Sequence, residues 1–418
     1  MAATIVVGAG IVGTTTALRL AREGLEVTVV ERQLEAGLET SSANGGMLAV
    51  NSAVPWSSPG TPQLLFKWLG KEEAPLLLRR RAIPGMSRWG LRFLANCRHG
   101  KYRQTSAALT RLAQKSMEEM NGLLDQGLVK AEVWPGGFLD LFKGARARDD
   151  AEAYAIFLEE LGAEVERLDA AGCVALEPSL APVEPTIGAG LWLKKECWGD
   201  ARQFSCAAAD AAKRAGARFL HGRTIDRIEI DRAKVVAVHL GEERIAASHV
   251  VVCAGPFSTT LMKSCGIRLP VAPVKGYSIT LRKQDIGFLP QRPIADEFEH
   301  IVATPLGDRL RVAGTVEFDG YDRTIRPSRI ANLQKGLQRL YPDLVMPEQI
   351  NAWCGLRPMS ADGLPVIDAT PIQGLYLNTG HGALGWTLAC GSAELIAGIV
   401  TGRKSGDAVP FRLQRNLW

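Results

Sequence analysis

At 418 residues the chain is too long for one ordinary core and suits roughly two to three domains, with 46% hydrophobic and 22% charged residues in the usual globular balance. The net charge of +5 is modest and no nucleic-acid partner is expected; no apolar run reaches the roughly 18 residues that span a bilayer. Eight cysteines at 97, 173, 197, 206, 253, 265, 354 and 390 form no CxxC pair, which argues against a zinc site or disulfide framework and suits a reducing compartment.

The opening MAATIVVGAGIVG is apolar but has no basic lead-in, so it reads as mature sequence rather than a signal peptide. Thr4 to Val7 is a β-branched strand, Gly13 to Glu23 carries Ala17, Leu18, Leu20 and Ala21 at helical spacing, and Gly24 stops that helix before a second strand, Glu26 to Val30. Residues 40–62, rich in Ser, Gly and Pro, read as loop, whereas 105–126 and 149–162 are patterned as amphipathic helices. A strand ends at Trp192, and Asp200 is placed to cap a helix running to about Ala215. Phe219, Thr224 to Ile230, Val235 to Leu240 and Val250 to Cys253 alternate as sheet, as do 271–282 and 309–316, with a helix from about Ser328 to Leu340. The C-terminal part repeats the opening: strand Leu375 to Asn378, glycine turn, helix Trp386 to Val400.

Between Glu73 and Glu118 stand ten basic residues and no acidic one: Arg79, Arg80, Arg81, Arg88, Arg92, Arg98, Lys101, Arg103, Arg111 and Lys115. Leu76 to Leu78, Trp89, Phe93 and Leu94 are interleaved with them. Two readings stay open: a solvated helical face with internal ion pairs, or a surface at 74–117 that meets an anionic membrane or partner. The expected location is the cytoplasm, with peripheral contact on the inner face of the membrane under the second reading.

Gly8-Ala9-Gly10-Ile11-Val12-Gly13 is GxGxxG directly after a strand and opening a helix. The first glycine permits the turn, the second lets a pyrophosphate approach the backbone, and the third lets helix and strand pack closely. Glu31, 23 residues after Gly8 at the end of the second strand, would accept hydrogen bonds from ribose hydroxyls and repel a 2′-phosphate, so FAD or NAD is indicated over NADP. Gly380-His381-Gly382-Ala383-Leu384-Gly385 is a second GxGxxG, but only 33 residues follow it and no strand ending in an acid completes a second unit. It reads instead as a helix start aimed at another electron-rich group, such as a flavin ring, which favours a single FAD.

The segments GAGIVG (8–13), VVERQ (29–33), ETSSANGGML (39–48), VVVCAGPFS (250–258), PVKGYS (273–278), RVAGTVE (311–317), GLRPMSADGLPVI (355–367) and LNTGHGALGWTLACG (377–391) run in order along nearly the whole chain. With them the chain resembles the D-amino acid oxidase superfamily of FAD enzymes, and within it the bacterial D-amino acid dehydrogenase small-subunit group. The resemblance implies an α/β architecture. An FAD-binding Rossmann-like domain (1–60, 198–265 and 352–418) is interleaved with an α+β substrate-binding domain (61–197 and 266–351) built on a large antiparallel sheet. Matched positions imply FAD contacts from Gly8, Gly10, Ile11, Val12, Gly13, Glu31, Arg32, Thr40, Ser41, Gly45, Gly46, Met47, Ile225, Ala254 and Gly255. Gly380, His381, Gly382, Ala383, Leu384, Gly385, Trp386 and Thr387 would wrap the flavin ring.

The same resemblance makes Arg357 the clamp for a substrate carboxylate, with His300 and Tyr277 on the opposite wall. It implies oxidative deamination of a small D-amino acid or a cyclic imino acid of the proline type. Hydride would pass from the α-carbon to flavin N5, and electrons onward to a quinone or protein acceptor. No Ser-His-Asp or metal-ligand set is evident. Glycine-oxidase-like members carry an arginine at the position of Ala383 and a tyrosine at that of His300, which points away from glycine as substrate. Gly45-Gly46 and Cys197-Trp198 also depart from the usual dehydrogenase pattern, so the side-chain pocket stays open. The alternatives are an oxygen-using glycine- or sarcosine-type oxidase and a non-catalytic FAD-binding subunit of an electron-transfer complex.

Overall fold

Thr4–Val7 (β1) and Val27–Val30 (β2) are short, β-branched and buried, and the glycine turn between them lets Ile11–Arg22 (α1) fold back over the strands. In the computed structural model, which describes residues 3–68, 70–403 and 405–415, these elements start a six-stranded sheet. Its order is Arg218–Leu220, β2, β1, His249–Val252, Leu375–Thr379 and Val366–Ala369, parallel throughout except for the last pair. Strand alternation divides the side chains between two cores. Val6, Val29 and Val251 face α1 and the helices Ala201–Arg214 and Ala389–Val400, while Ile5, Val7, Val30 and Val250 face a three-stranded sheet from Arg227 to Ala246. Asp200 caps its helix as expected, accepting from the N–H groups of Arg202 and Gln203.

The second large sheet has nine strands, beginning at one edge with Asn351–Ser360, Val271–Arg282, Arg309–Phe318 and Ile301–Leu306. It is antiparallel apart from two parallel pairs, Ile294–Asp296 with Phe138–Phe142 and Arg309–Phe318 with Leu76–Leu78. Asn351–Ser360, which the sequence division assigns mostly to the dinucleotide-binding part, is hydrogen-bonded along its length to Val271–Arg282 in this sheet. A bulge interrupts the register between Gly276 and Tyr277, and opposite it Thr315 sits at φ 45°, a strained position for a β-branched residue.

Two helices lie over the space between the sheets. Thr61–Trp68 (α2) buries none of its residues, and Ile83–Asn96 (α3) buries only Met86 and Phe93. The start of α3 is pinned to the large sheet by ions: Arg79 pairs with Glu72 and Glu317, and Arg81 with Asp319 and Asp322. Beneath them Lys275, fully buried, lies 3.1 Å from Glu317 and 3.5 Å from Asp319. So part of the basic segment 74–117 turns inward. At the C-terminal motif the expected helix start moves: Gly380 and Gly382 take positive φ, a short 3₁₀ turn covers Gly382–Leu384, and the regular helix begins only at Ala389. Among the described residues no helix is long and apolar enough to cross a membrane, and all eight cysteines are free.

Candidate active site

The space between the two sheets is a cavity of about 1110 Å³, slightly above the roughly 300–1,000 Å³ typical of small-molecule sites. One end opens at the carboxyl ends of β1 and β2, where a parallel sheet receives its ligand. Gly8, Gly10, Ile11 and Val12 form that wall. Gly8 has φ +99°, and a Cβ there would lie 2.8 Å from Cys253 O. Gly13 is not on the wall; a Cβ on it would lie 1.9 Å from Gly8 O, so its role is the close packing of α1 on the turn. Gly10 differs from both. Its φ of −68° suits any residue, and a Cβ would meet only Ser41 Oγ, at 3.6 Å. What its missing side chain leaves is room in the cavity at the start of a helix.

That helix start has no side-chain cap of its own; Ser41, on the next loop, accepts from Ile11 N at 3.0 Å. Glu31 is buried on the wall and accepts from Ala9 N at 2.6 Å and Gln33 N at 2.8 Å, which fixes its carboxylate while leaving lone pairs toward the cavity. Arg32 stacks 3.7 Å above the ring of Phe257 and pairs with Glu39 at 2.6 Å. Thr40 lines the cavity and donates to Leu356 O at 2.7 Å, tying the loop to the other sheet. Gly45, Gly46, Met47, Ile225, Ala254 and Gly255 also border the space.

From the C-terminal motif His381, Gly382, Ala383, Gly385 and Trp386 line the cavity, while Gly380, Leu384 and Thr387 stand behind it. Gly380 packs toward Val271, Leu384 joins the hydrophobic core, and Thr387 Oγ1 accepts from Ala49 N at 3.2 Å. His381 is buried with Nε2 2.9 Å from Ser392 Oγ; burial lowers its pKa to about 3, so its imidazole is neutral at physiological pH.

Arg357 stands at the other end, half-buried on Asn351–Ser360, with its guanidinium carbon 5.1 Å from the ring centroid of Trp56. Nη1 has no hydrogen-bond partner among the described residues. Burial lowers its pKa to about 10, which still leaves it charged at neutral pH. Strand pairing places Gly276 next to it, and a Cβ on Gly276 would lie 2.7 Å from Arg357 Cζ. A cation with no carboxylate partner among the described residues, facing a large cavity, has the chemistry to receive a carboxylate.

The other two expected substrate contacts fare differently. Tyr277 borders the cavity, but its hydroxyl donates to Glu317 at 2.5 Å inside the charged cluster of the large sheet, so it has no proton free for a substrate. The cause is alternation along the strand: Tyr277 shares the face of Lys275, and Arg357 sits with Gly276 on the other. His300 is exposed on the cavity rim at φ 54°, its ring edge-on to Trp68 at 5.2 Å. Sequence reasoning missed Trp56 and Trp353, which line the cavity, Trp56 directly against Arg357. No motif carries them: Trp56 is on a loop and Trp353 on the strand Asn351–Ser360, and where either points shows only once the sheets are assembled.

Residues 3–399 match the family model described as DAO: FAD dependent oxidoreductase. The chain is 39% identical over 412 residues to the D-amino acid dehydrogenase of Dechloromonas aromatica, covering 97% of this chain and 99% of that protein. It is 41% identical over 403 residues to that of Rhizorhabdus wittichii, covering 96% of each. Among solved structures, the glycine oxidase of Geobacillus kaustophilus superposes with a TM-score of 0.77 at 23% identity, covering 100% of both chains.

Proposed function

Since the chain belongs to the DAO family of FAD-dependent oxidoreductases, we propose that it oxidises a small D-amino acid or a cyclic imino acid and hands the electrons to a quinone or another acceptor. The observation that carries the substrate side is Arg357, charged, facing the cavity and with no hydrogen-bond partner for Nη1 among the described residues. The names of the 39–41% identical relatives support a D-amino acid. For the cofactor, the fit lies in Gly10, whose missing side chain neither packing nor conformation requires, next to a helix start whose own N-cap residue supplies no side chain and the buried Glu31.

FAD, when bound, accepts the hydride that leaves the substrate α-carbon. Gly8, Gly10 and the α1 start would hold its pyrophosphate and Glu31 its ribose; the 44–47 segment and His381 to Trp386 would border its ring. Arg357 binds the substrate carboxylate in a planar two-point pair, which fixes the direction of the α-hydrogen. Trp56 holds the guanidinium from one side and the bare backbone of Gly276 leaves it room on the other. The neutral imidazole of His381 adds no charge to the site. No side-chain base is assigned, because the lone pair of the neutral amine assists departure of the hydride.

The test is anaerobic titration of the yellow protein with D-, L-, cyclic and N-methyl amino acids. Bleaching is expected with a D-amino acid or with proline-like substrates. Bleaching by sarcosine or glycine alone would favour the amine-oxidase reading, and bleaching by none would favour a non-catalytic electron relay.

The acceptor side rests on α2 and α3. Their inner residues line the cavity, the half-exposed Ile83 and Leu94 among them, and outward they expose Phe66 (83%) and Leu91 (71%). Arg79, Arg81, Arg103 and Lys115 are ion-paired within the chain, whereas Arg80, Arg98, Lys101 and Arg111 point to solvent. An apolar, basic rim at the cavity suits peripheral contact with an anionic bilayer, where each nearby cation contributes about 1 kcal/mol. Sedimentation with anionic vesicles should carry the protein down at low salt and release it at high salt. The double variant Phe66→Ser, Leu91→Ser should remain in the supernatant. Wild-type protein staying in solution at low salt would remove the membrane contact.

A further inference from the structure

Three strands of the large sheet grip one short loop from behind. Ser278 Oγ donates to Ala43 O at 2.8 Å, Arg311 Nη1 to Asn44 O at 2.9 Å, and Thr304 Oγ1 to Gly45 O at 2.7 Å. In a trans peptide the N–H points opposite to the C=O. With three successive carbonyls turned to the sheet, the N–H groups of Asn44, Gly45 and Gly46 turn away from it. Gly46 N is taken by Asn44 Oδ1 at 3.1 Å, so those of Asn44 and Gly45 are the ones presented toward the cavity that both residues line.

Of the three gripping side chains only Arg311 carries charge. It is 4% exposed, its Nε donates to Thr280 Oγ1 at 2.7 Å, and it forms no ion pair among the described residues. The carboxylate in its field, Asp200, is engaged by Arg309 at 3.1 Å and by the helix that it caps. A buried cation with neutral partners leaves its field uncompensated, and at low dielectric that field acts over several ångströms.

We propose that Arg311 is a positioning residue that fixes the Ala43–Gly46 segment against the flavin and, through its uncompensated charge, raises the flavin's midpoint potential. The inference rests on FAD occupying the cavity as proposed above. Hydride transfer moves one proton and two electrons from the substrate α-carbon to the flavin and adds one negative charge there, which a nearby cation stabilises. Removing that cation makes the same reduction less favourable. Removing a neutral grip loosens the loop without changing the charge.

The test compares Arg311→Met with Arg311→Lys, Ser278→Ala and Thr304→Val, each as FAD-loaded full-length protein, by dye-equilibration potentiometry and by flavin content. Arg311→Met should disfavour two-electron reduction at least tenfold, which is a drop of about 30 mV. Arg311→Lys should recover most of that shift. Ser278→Ala and Thr304→Val should release FAD a few-fold more readily while keeping the wild-type potential. If Arg311→Met does not accumulate, Arg311→Gln, which keeps a donor for Asn44 O, carries the same measurement. A wild-type potential in the charge-removing variant, or an equal shift in all four, would overturn the proposal. A wild-type protein purified without flavin would instead refute the cofactor reading beneath it.

Discussion

Arg357→Ala is expected to raise KM for the amino acid roughly 30-fold to several thousand-fold and to leave flavin content unchanged. The range follows from the 2–5 kcal/mol typical of truncating one partner of a buried charged hydrogen-bonded pair. Folding should be kept, because Nη1 has no hydrogen-bond partner to lose among the described residues. Arg357→Lys should recover only part of the loss, since an ammonium lacks the planar fork and would not reach Trp56 and a carboxylate in the same way. Gly276→Ala gives an independent check. Its methyl would lie 2.7 Å from Arg357 Cζ, so the charge stays but the guanidinium must move, and KM should rise with kcat less affected. Steady-state kinetics with flavin quantified by absorbance reads all three, and near-normal KM in Arg357→Ala would remove the carboxylate clamp.

Gly10→Val should fold normally and bind FAD more weakly. A Cβ at Gly10 meets nothing closer than Ser41 Oγ at 3.6 Å and φ is −68°, so the apoprotein has no reason to resist it. The added methyl groups project into the space where a pyrophosphate would lie. Overpacking of about 1–3 kcal/mol predicts about 5- to 150-fold weaker FAD binding, read by fluorescence release, with an apoprotein melting temperature near that of wild type. Gly13→Ala behaves differently: its Cβ would lie 1.9 Å from Gly8 O, so stability and cofactor should fall together. Unchanged FAD affinity in Gly10→Val would mean that no ligand approaches this helix.

The dinucleotide-binding unit was legible because its physics is local. Strand, glycine turn, helix and Glu31 follow one another within 31 residues, and the structure places β1, α1 and β2 where the pattern does. Asp200 was legible for the same reason, as a cap beside its own helix. Tyr277 was not, because the side of the sheet it faces depends on pairing with residues 309–318 and on a bulge that no local pattern announces. The basic stretch was legible as a charge count but not as geometry. Arg79 and Arg81 meet Glu317 and Asp319 about 240 residues away, while Arg80 between them faces solvent. Arg311 likewise sits in an ordinary strand, and its meaning appears only where three strands converge on one loop.

The order of strands in the six-stranded sheet has a consequence for how the molecule comes to exist. β1 lies between β2 and His249–Val252, and the next strand is Leu375–Thr379. As the chain emerges from the ribosome, β1 and β2 can pair early, but the other edge of β1 waits for some 245 residues of later chain. The sheet is then a high-contact-order structure with a long-lived open edge, which slows folding and exposes an apolar, β-branched strand to misassociation. The ligand cradle, built on that sheet and closed by residues 381–386, completes only after nearly the whole polypeptide is made. The cofactor can therefore contribute its full stabilisation only to a nearly complete chain, and holoprotein formation is expected to come late.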